Sequence, residues 1–472
     1  MPAEPSGGAL TIAKRSSDTA FLGHPAGLGW LAGSEFWERF SYYGMQALLV
    51  LYMTHYLLLP GPLSHVLGFG PFKRFLEFLN HRPLSGEALA SATYGFYAGF
   101  VYLTPLAGGL IADRLLGRTA TVTIGASLMA LGHFLMAFDV SFLLALSCLL
   151  IGVGCFKGNI AAQVGDLYAA DDLRRADAFQ IYYIGIQIAV IVSPLVCGTL
   201  GETVGWHWGF GAAGVGMLIG LMIYLKGRYA LPKEKTRRGG EVVQRPRITA
   251  RDRQAVALLV LLIPVLALSL IGNQEIFNAY LVWAEKNFQL IFFGHTMPIT
   301  WMLSVDAFVS TILMAAAVLF WRWYATRWAE PSEITKMGIG ITISAMAPAV
   351  LAAASVVVAA SGHPVSLGWA FAFHFLNDLG FANVLPVGLA LYSRAAPKGL
   401  EGLMIAVYYL QLFLGNLLTG YLGGFLDTIP AVNFWMLHVA LMLVSAAVLF
   451  AARYFVGHIL APSYNAPAKA SA

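Results

Sequence analysis

The chain has 472 residues, of which 58% are hydrophobic and 11% are charged, and its formal net charge is +5. Ordinary globular proteins are about 45–50% apolar and about 25% charged. With a mean hydropathy of +0.70, this composition excludes an ordinary soluble protein, a disordered chain and a nucleic-acid-binding protein.

Apolar runs long enough to cross a bilayer follow one another along the chain after a polar segment over residues 1–20. A spanning helix needs about 20 predominantly apolar residues. The period-two alternation that marks a membrane barrel is absent from these runs. We therefore predict an all-α integral membrane fold with twelve spans: 29–58, 88–112, 118–138, 141–168, 176–200, 206–227, 254–285, 299–322, 335–359, 366–392, 402–425 and 431–456.

Lysine and arginine orient these spans, because cytoplasmic segments of membrane proteins are enriched in both residues. With the N-terminus inside, four of these residues lie in outer segments, two lie within spans, and the other 23 of the 29 lie in inner segments. The most basic connection, 229–252, separates two six-helix bundles, 21–228 and 253–457. We predict a multi-pass protein of the cell (inner) membrane, with the N-terminal tail and a C-terminal tail over 458–472 in the cytoplasm.

The first and fourth spans carry charges where a charged side chain costs roughly 2.5–3.5 kcal/mol. Glu35, Glu38 and Arg39 lie within five positions of the first span, and i,i+3 and i,i+4 spacing places them on one helix face. Lys157 lies in a glycine-rich stretch of the fourth span. A lone lysine at that depth needs a carboxylate partner, so we expect the two spans to meet around these residues.

The four charges have two interpretations, a static ion pair that locks two helices together and a proton switch. Apolar residues serve a purely structural role at lower cost. Two neighbouring carboxylates disfavour joint ionisation, so one of them can take a proton near physiological pH. We favour the switch, in which protonation of one carboxylate frees a cation to bind a carboxylate of the substrate.

Polar residues also occur within predicted spans of the second half. Taken singly, those of the tenth span have a structural explanation as a helix–helix contact, and Asp306 in the eighth span has one as a residue exposed to outer water. Together with the charges of the first half, they predict a polar cavity between the halves. The residues are Glu275, Asn278, Asp306, His374, Asn377 and Asp378.

Three sequence motifs lie within or next to the predicted spans of the first half. The first span reads Glu35-Phe-Trp-Glu38-Arg39-Phe-Ser-Tyr-Tyr-Gly44, the fourth reads Gly-Cys-Phe-Lys157-Gly-Asn159, and Gly109-Leu-Ile-Ala-Asp-Arg-Leu-Leu-Gly-Arg118 follows the second. The first resembles the ExxER motif of the proton-coupled oligopeptide transporter (POT/PTR) family, and the last resembles the loop signature of the major facilitator superfamily. The resemblance implies the major facilitator fold, with twelve transmembrane helices in two pseudo-symmetric six-helix halves.

The resemblance further implies a proton-coupled symporter that imports di- and tripeptides by alternating access. Arg39 and Lys157 would bind the peptide's carboxylate, which a guanidinium fits bidentately and a lysine meets as a point charge. The expected partners are small peptides, protons and the lipid bilayer, with no nucleic acid, metal or organic cofactor, and a monomer as the working unit. The predicted proton-coupling residues are Glu35, Glu38, Arg39, Lys157 and Glu275, and the predicted substrate-binding residues are Arg39, Tyr42, Tyr43, Tyr97, Lys157, Gln187, Asn278, Asp306 and Asp378.

The chain departs from the family pattern at the predicted peptide site. Gln187 replaces the family's usual asparagine, and Phe381 stands where the tenth span should carry a glutamate for the peptide's amino terminus. A peptide ammonium in a low-dielectric cavity still needs an anion. Asp306 is the first candidate for that anion, and Asp378 is the second.

Other functions stay open from the sequence alone. A symporter of another small carboxylate-bearing organic solute keeps the Arg39 and Lys157 site and is favoured by Phe381. A membrane-embedded enzyme is suggested by His374 with Asp378, but no nucleophile motif or metal-ligand spacing accompanies them, and we expect no enzyme. A receptor or channel is a further alternative. An ATP-driven pump is not indicated, because the sequence contains no GxxxxGK[ST] segment.

Overall fold

The computed structural model describes residues 18–169, 172–232 and 249–460, and long helices occupy all twelve predicted span positions. Within these residues, ten helical segments are long and apolar enough to cross a membrane by length and composition. The helices are α1 (Ala26–Tyr52), α2 (Pro60–Leu63), α3 (Phe69–Asn80), α4 (Gly86–Ile111), α5 (Arg118–Leu135), α6 (Phe142–Asp166), α7 (Arg174–Ser193), α8 (Trp206–Gly227), α9 (Ala250–Gln274), α10 (Ala279–Asn287), α11 (Trp301–Ala325), α12 (Glu333–Ser361), α13 (Gly368–Phe381), α14 (Leu385–Arg394), α15 (Glu401–Gly423) and α16 (Ala431–Leu460).

The first and third spans, which contain α1 and α5, are helical but are not among those ten segments. π-Helical turns extend α1 through Met53–Leu57 and carry the fifth span on from α7 to Val204. The predicted tail over 1–20, linker over 229–252 and tail over 458–472 lie largely outside the described residues, so those boundaries stay predictions.

The connections at one end of the bundle hold structure that periodicity did not predict. The segment between the first two spans contains α2 and α3, and the segment after α10 forms a two-stranded antiparallel hairpin of β1 (Ile291–Phe292) and β2 (His295–Thr296). We call this end the outer end, following the orientation predicted from the lysines and arginines. The opposite end, which holds Asp166 and Lys336, is the inner end.

Helix packing divides the bundle into two halves that touch along two seams. In the first half α1 packs on α7 and α8, and α5 packs on α6. In the second half α12 packs on α13 and α16, and α9 packs on α15. The halves meet where α4 contacts α15 and where α7 contacts α11. The larger apolar core runs from the first half into the outer part of the second, whereas the inner part of the second half has a separate core.

The seventh and tenth spans are interrupted, although their apolar runs predict continuous helices. In the seventh span, a single 3-10 turn over Glu275–Phe277 and an irregular Asn278 (φ −129°, ψ −113°) separate α9 from α10. The Glu275 carboxylate accepts the backbone N–H of Ala279 at 3.1 Å, so this donor needs no helical carbonyl. In the tenth span, a proline without an N–H stands in the first turn of α14. Broken helices are tolerated at membrane depth where protein groups satisfy the freed backbone.

Candidate substrate and proton site

The charges of the first span form one buried cluster on α1. Arg39 Nε lies 3.1 Å from Glu35 Oε1 and also pairs with Glu38. All three side chains are buried, and Glu38 is wholly inaccessible. Arg39 Nη2 has no hydrogen-bond partner among the described residues. One face of the guanidinium is therefore held by carboxylates, while another N–H group stays available for an incoming acceptor.

Lys157 on α6 faces this cluster. It lies close enough to interact electrostatically with Glu38, Glu35 and Arg39, and its Nζ lies 4.7 Å from the centre of the Tyr102 ring. The structure thus brings α1 and α6 together around two carboxylates and two cations. With all four groups ionised the cluster is neutral, so adding one proton leaves a net positive charge.

Tyrosine side chains surround the same cluster. Arg39 lies over the Tyr42 ring, 5.5 Å from its centre, and interacts electrostatically with Tyr43. Tyr97 on α4 interacts electrostatically with Glu38, and Tyr182 on α7 does so with Glu35. Tyr182 was not predicted, because nothing in the sequence distinguishes it from the exposed tyrosine at position 183. Tyrosine rings and their hydroxyl groups therefore line the site beside the charged cluster.

The predicted acids of the second half form another cluster between α11 and α13. His374 Nδ1 lies 2.8 Å from Asp306 Oδ1, and His374 Nε2 lies 2.9 Å from the Tyr280 hydroxyl. Asp378 lies close enough to Asp306 to interact with it electrostatically, and its Oδ1 accepts from the Asn377 amide at 3.2 Å. The Asp306 side chain keeps 14% of its surface exposed, while Asp378 is 1% exposed. Asp306 is therefore the acid that a solute can reach.

The remaining predicted residues lie outside both clusters, and two of them, Gln187 and Asn278, lie at contacts between the halves. Gln187 on α7 donates to Thr311 Oγ1 on α11 at 2.7 Å. Glu275 pairs with His438 of α16 at 3.2 Å, and Asn278 accepts from Ser91 of α4 at 3.0 Å. The structure thus places Asn278 in the α4–α15 seam and Glu275 against α16, and neither lies beside Arg39. His438 was not predicted, because a lone histidine in an apolar span carries no pattern.

No metal centre accompanies these clusters. Within the residues that the structure describes, no group of three or more His, Cys, Asp or Glu side chains is arranged to hold a metal ion. The two clusters themselves consist of acids, cations and a histidine, which are side chains that bind charged groups.

The two halves are bonded to each other at the outer end. His55 pairs with Glu285 at 3.1 Å, and the Glu202 carboxylate accepts the backbone N–H groups of Ile299 and Thr300 at 2.9 and 3.0 Å. The α4–α15 seam closes through glycine, since a Cβ at position 95 would clash with the backbone of α15. We call these contacts, with the Ser91–Asn278 bond, the outer gate. The structure is closed at the outer end.

Known proteins resemble this chain over most of its length. The family model described as PTR2, POT family, matches residues 119–245 and 238–436. The peptide transporter YePEPT of Yersinia enterocolitica subsp. palearctica serotype O:3 (strain YE-P4) is 30% identical, covering 91% of this chain and 94% of its own. A di-/tripeptide transporter of Lactococcus lactis subsp. cremoris is 29% identical, covering 84% of this chain and 88% of its own. A solved structure of a mutant peptide transporter POT in complex with alafosfalin matches with a TM-score of 0.79 at 25% identity, covering 93% of this chain and 96% of that one.

Proposed function

The chain belongs to the POT family, and we propose that it imports di- and tripeptides together with protons. Both relatives reported above are named as transporters of peptides, and the matching solved structure is of a peptide transporter. The helical bundle, the ten apolar segments and the seam between two halves suit a multi-pass carrier that works by alternating access. The proposal places the protein in the cell (inner) membrane with both termini in the cytoplasm.

The observation that carries the proposal is the buried cluster of Glu35, Glu38, Arg39 and Lys157. Both cations are compensated while the two carboxylates are ionised. A proton on one carboxylate withdraws one compensating charge, and Arg39 then offers its guanidinium to a carboxylate of the substrate. Charge-assisted bonds of this kind are about twice as strong as neutral ones. Loading the proton and loading the substrate are therefore favourable together.

One coupled proton suffices to concentrate a small solute. A charge that crosses 100 mV gains about 2.3 kcal/mol, which corresponds to roughly fifty-fold accumulation since 1.4 kcal/mol is a factor of ten. No further cofactor is required by this scheme, and a single chain contains all of the groups that it uses. We therefore assign the coupling ion as the proton and the working unit as the monomer.

The cluster around Asp306 suits the amino terminus of the peptide. His374 orients the Asp306 carboxylate, and the exposed part of that side chain is free to accept from an ammonium group. Asp378 lies behind it and holds a position that a solute does not reach. A peptide would then extend from Arg39 in the first half to Asp306 in the second, with Tyr42, Tyr43, Tyr97 and Gln187 along its path.

Uptake by the purified protein in proteoliposomes tests the proposal. Labelled dialanine should accumulate when the outside is acidic and the interior is negative, and a protonophore should abolish that accumulation. Liposomes without protein and proteoliposomes that contain the Arg39→Lys variant serve as controls. If no di- or tripeptide enters above the protein-free level under any proton gradient, the peptide assignment is wrong.

A symporter of another small carboxylate-bearing solute is the second candidate function, and Phe381 favours it. This aromatic side chain ends α13, next to the break in the tenth span, and supplies no anion for an amine. Competition with labelled dialanine separates the two functions. A dipeptide that competes far better than its N-acetylated form indicates an amine site, whereas equal potency of the two indicates that only the carboxylate is recognised.

A further inference from the structure

An apolar groove crosses the α4–α15 seam towards the outer end of the bundle. Its volume is about 570 Å³, which lies within the range of roughly 300–1,000 Å³ that is typical of ligand pockets. The groove is lined by α3 and α4 of the first half and by α9 and α15 of the second half. Both halves are therefore needed to form it. The larger apolar side chains of the lining are Leu76, Phe96, Pro264, Leu268, Leu414 and Leu417.

The groove opens on the outside of the bundle at membrane depth. Pro264, halfway along α9, is exposed, and so are Leu79 and Tyr421 at the outer end of the groove. The helices α9 and α15 lie in segments that are long and apolar enough to cross a membrane. Their exposed faces therefore meet lipid, and lipid is what reaches the groove.

The lining favours a hydrocarbon chain over water. Of the described residues that line the groove, only Asn80 and Tyr421 have polar side chains, and the Asn80 amide already donates to the Leu76 carbonyl at 2.8 Å. An ordered water needs about two to four polar partners. An empty groove would leave its apolar walls without van der Waals contacts. An acyl chain supplies those contacts and is present at this depth.

An arginine lies beside the outer end of the groove. Arg82 donates to the carbonyl oxygen of Tyr421 at 2.7 Å, and its guanidinium lies 4.1 Å from the centre of the Phe425 ring. Arg82 Nε has no hydrogen-bond partner among the described residues. A guanidinium has five N–H donors, so part of the hydrogen-bonding capacity of Arg82 is unused within the protein.

Basic residues concentrate around this position, although the outer side of the protein has few of them. The orientation predicted from the sequence places four lysines and arginines outside, whereas cytoplasmic segments normally collect such residues. Glu77 pairs with Lys73 at 3.7 Å, and Glu87 pairs with Lys286 at 2.6 Å. The acids that flank Arg82 in the sequence are thus already engaged. Three of the four outer basic residues lie in α3 or directly after it: Lys73, Arg74 and Arg82.

The helix α3 has the character of a helix in the membrane interface. Leu76 is buried against the bundle, whereas Phe75, Phe78 and Leu79 are exposed. Arg74 is exposed on the same helix. A helix that combines exposed apolar side chains with basic residues lies at the boundary between headgroups and acyl chains. The helix α3 therefore covers the groove at the depth of the lipid phosphates.

We propose that this groove binds one acyl chain of a phospholipid of the outer leaflet, whose phosphate is held by Arg82. A guanidinium fits phosphate oxygens bidentately. Because the walls come from both halves, the bound chain contacts both halves at once. It therefore stabilises the arrangement in which the α4–α15 seam is closed. The inference goes beyond the proposed transport of peptides and is independent of which solute the protein carries.

Photo-cross-linking of the full-length protein in proteoliposomes tests the inference. The probe is a phosphatidylglycerol with a diazirine in one acyl chain, diluted into unlabelled phospholipid, and cross-linked residues are mapped by mass spectrometry. Groove residues of both halves, such as Leu76, Leu268 and Leu414, should be labelled at least about tenfold more than Leu261, which is exposed on α9 outside the groove. Equal labelling of the groove and of Leu261 indicates unspecific surrounding lipid only and overturns the inference.

Leu268→Trp fills the groove with a larger side chain. This variant should reduce the labelling of Leu76 and Leu414 at least about tenfold, whereas Leu261→Trp, on the exposed surface of the same helix, should leave it unchanged. Leu414→Trp repeats the test from α15, with Leu76 and Leu268 as the reporting positions. Labelling that persists at the intact level in folded groove variants contradicts the assignment.

Arg82→Gln tests the phosphate contact. A diacylglycerol probe with the same chains lacks the phosphate, so the phospholipid probe should label the groove of the unmodified protein at least about tenfold more. Arg82→Gln should remove this preference, whereas Arg253→Gln, at an exposed arginine of the inner end, should keep it. Equal labelling by both probes in the unmodified protein overturns the role of Arg82. Dialanine uptake is measured in the same proteoliposomes, and a loss of uptake with intact labelling contradicts the proposed function alone.

Discussion

The two halves of the molecule compensate their buried acids with different bases. In the first half, the carboxylates of Glu35 and Glu38 meet Arg39 and Lys157. In the second half, Asp306 meets His374 and Glu275 meets His438. Arginine keeps its charge at any physiological pH, whereas the unperturbed histidine changes charge between pH 5 and 8. The first half therefore holds a permanent cation beside its two carboxylates, whereas in the second half the basic partner of each of these acids is a histidine.

The difference also separates the consequences of losing a partner. Removal of Arg39 takes a permanent cation away from two buried carboxylates. Removal of His374 takes a hydrogen-bond partner away from Asp306, whose side chain keeps 14% of its surface exposed. Substitutions in the two halves should therefore differ in size, and the predictions below run from the largest expected effect to the smallest.

Arg39→Ala should have the largest effect. It leaves Glu35 and Glu38 buried without their partner, and breaking a buried pair in this way costs about 3–5 kcal/mol. His374→Ala is the matched change in the second half, and it should cost less because the Asp306 side chain keeps 14% of its surface exposed. Thermal unfolding of both variants in the same detergent measures the difference. An equal loss of stability in the two variants would contradict the predicted difference between the two halves.

Glu38→Gln should uncouple transport while leaving the fold intact. The amide cannot exchange a proton, so accumulation should fall from roughly fifty-fold to about one at 100 mV. Counterflow exchange between equal concentrations of labelled and unlabelled dialanine needs no net proton movement and should be affected much less. Glu77→Gln on α3, where the glutamate pairs with Lys73 near the surface, is the control. Equal loss of driven uptake and counterflow would argue against a proton role for Glu38.

The arrangement of the spans follows directly from composition. Apolar runs of about 20 residues located all twelve helices within a few residues, because hydrocarbon leaves a chain almost no alternative to helices. The first-half site was visible for the opposite reason. Three ionisable residues in five positions of an apolar run are costly, and i,i+3 and i,i+4 spacing fixes their relative placement without any knowledge of the fold.

Features that depend on contacts between distant spans were not predictable. The break at Asn278 exists because a carboxylate from the preceding turn replaces a helical acceptor, and apolar periodicity continues through it. His438 and Tyr182 acquire roles only when α16 and α7 bring them to Glu275 and Glu35. The α4–α15 seam likewise depends on which glycines meet, and the sequence contains 49 of them.

Asp306→Asn and Asp378→Asn, compared side by side, sharpen the description of the second half. A hydrogen bond to a charged group is worth about 1.5–3 kcal/mol, so Asp306→Asn should raise the KM for dialanine by at least roughly tenfold. N-acetyl-dialanine has no ammonium and should compete equally well before and after this change. Asp378→Asn should alter the KM less, since that side chain is buried behind Asp306. A larger effect from Asp378→Asn would exchange the two roles.

Gln187 lies at a contact between the two halves. Its substitution has the smallest predicted effect, and that effect tests whether the side chain binds substrate or connects the halves. It was predicted to bind substrate, yet it donates to Thr311 across the α7–α11 seam. A neutral hydrogen bond contributes about 0.5–1.5 kcal/mol, so Gln187→Ala should change dialanine uptake by about two- to ten-fold. Thr311→Val removes the same bond without touching the glutamine. If both variants have the same effect and the double variant adds nothing, the bond between the halves is the cause. A higher KM in Gln187→Ala alone assigns the side chain to the substrate, because only that variant removes a group the peptide can contact.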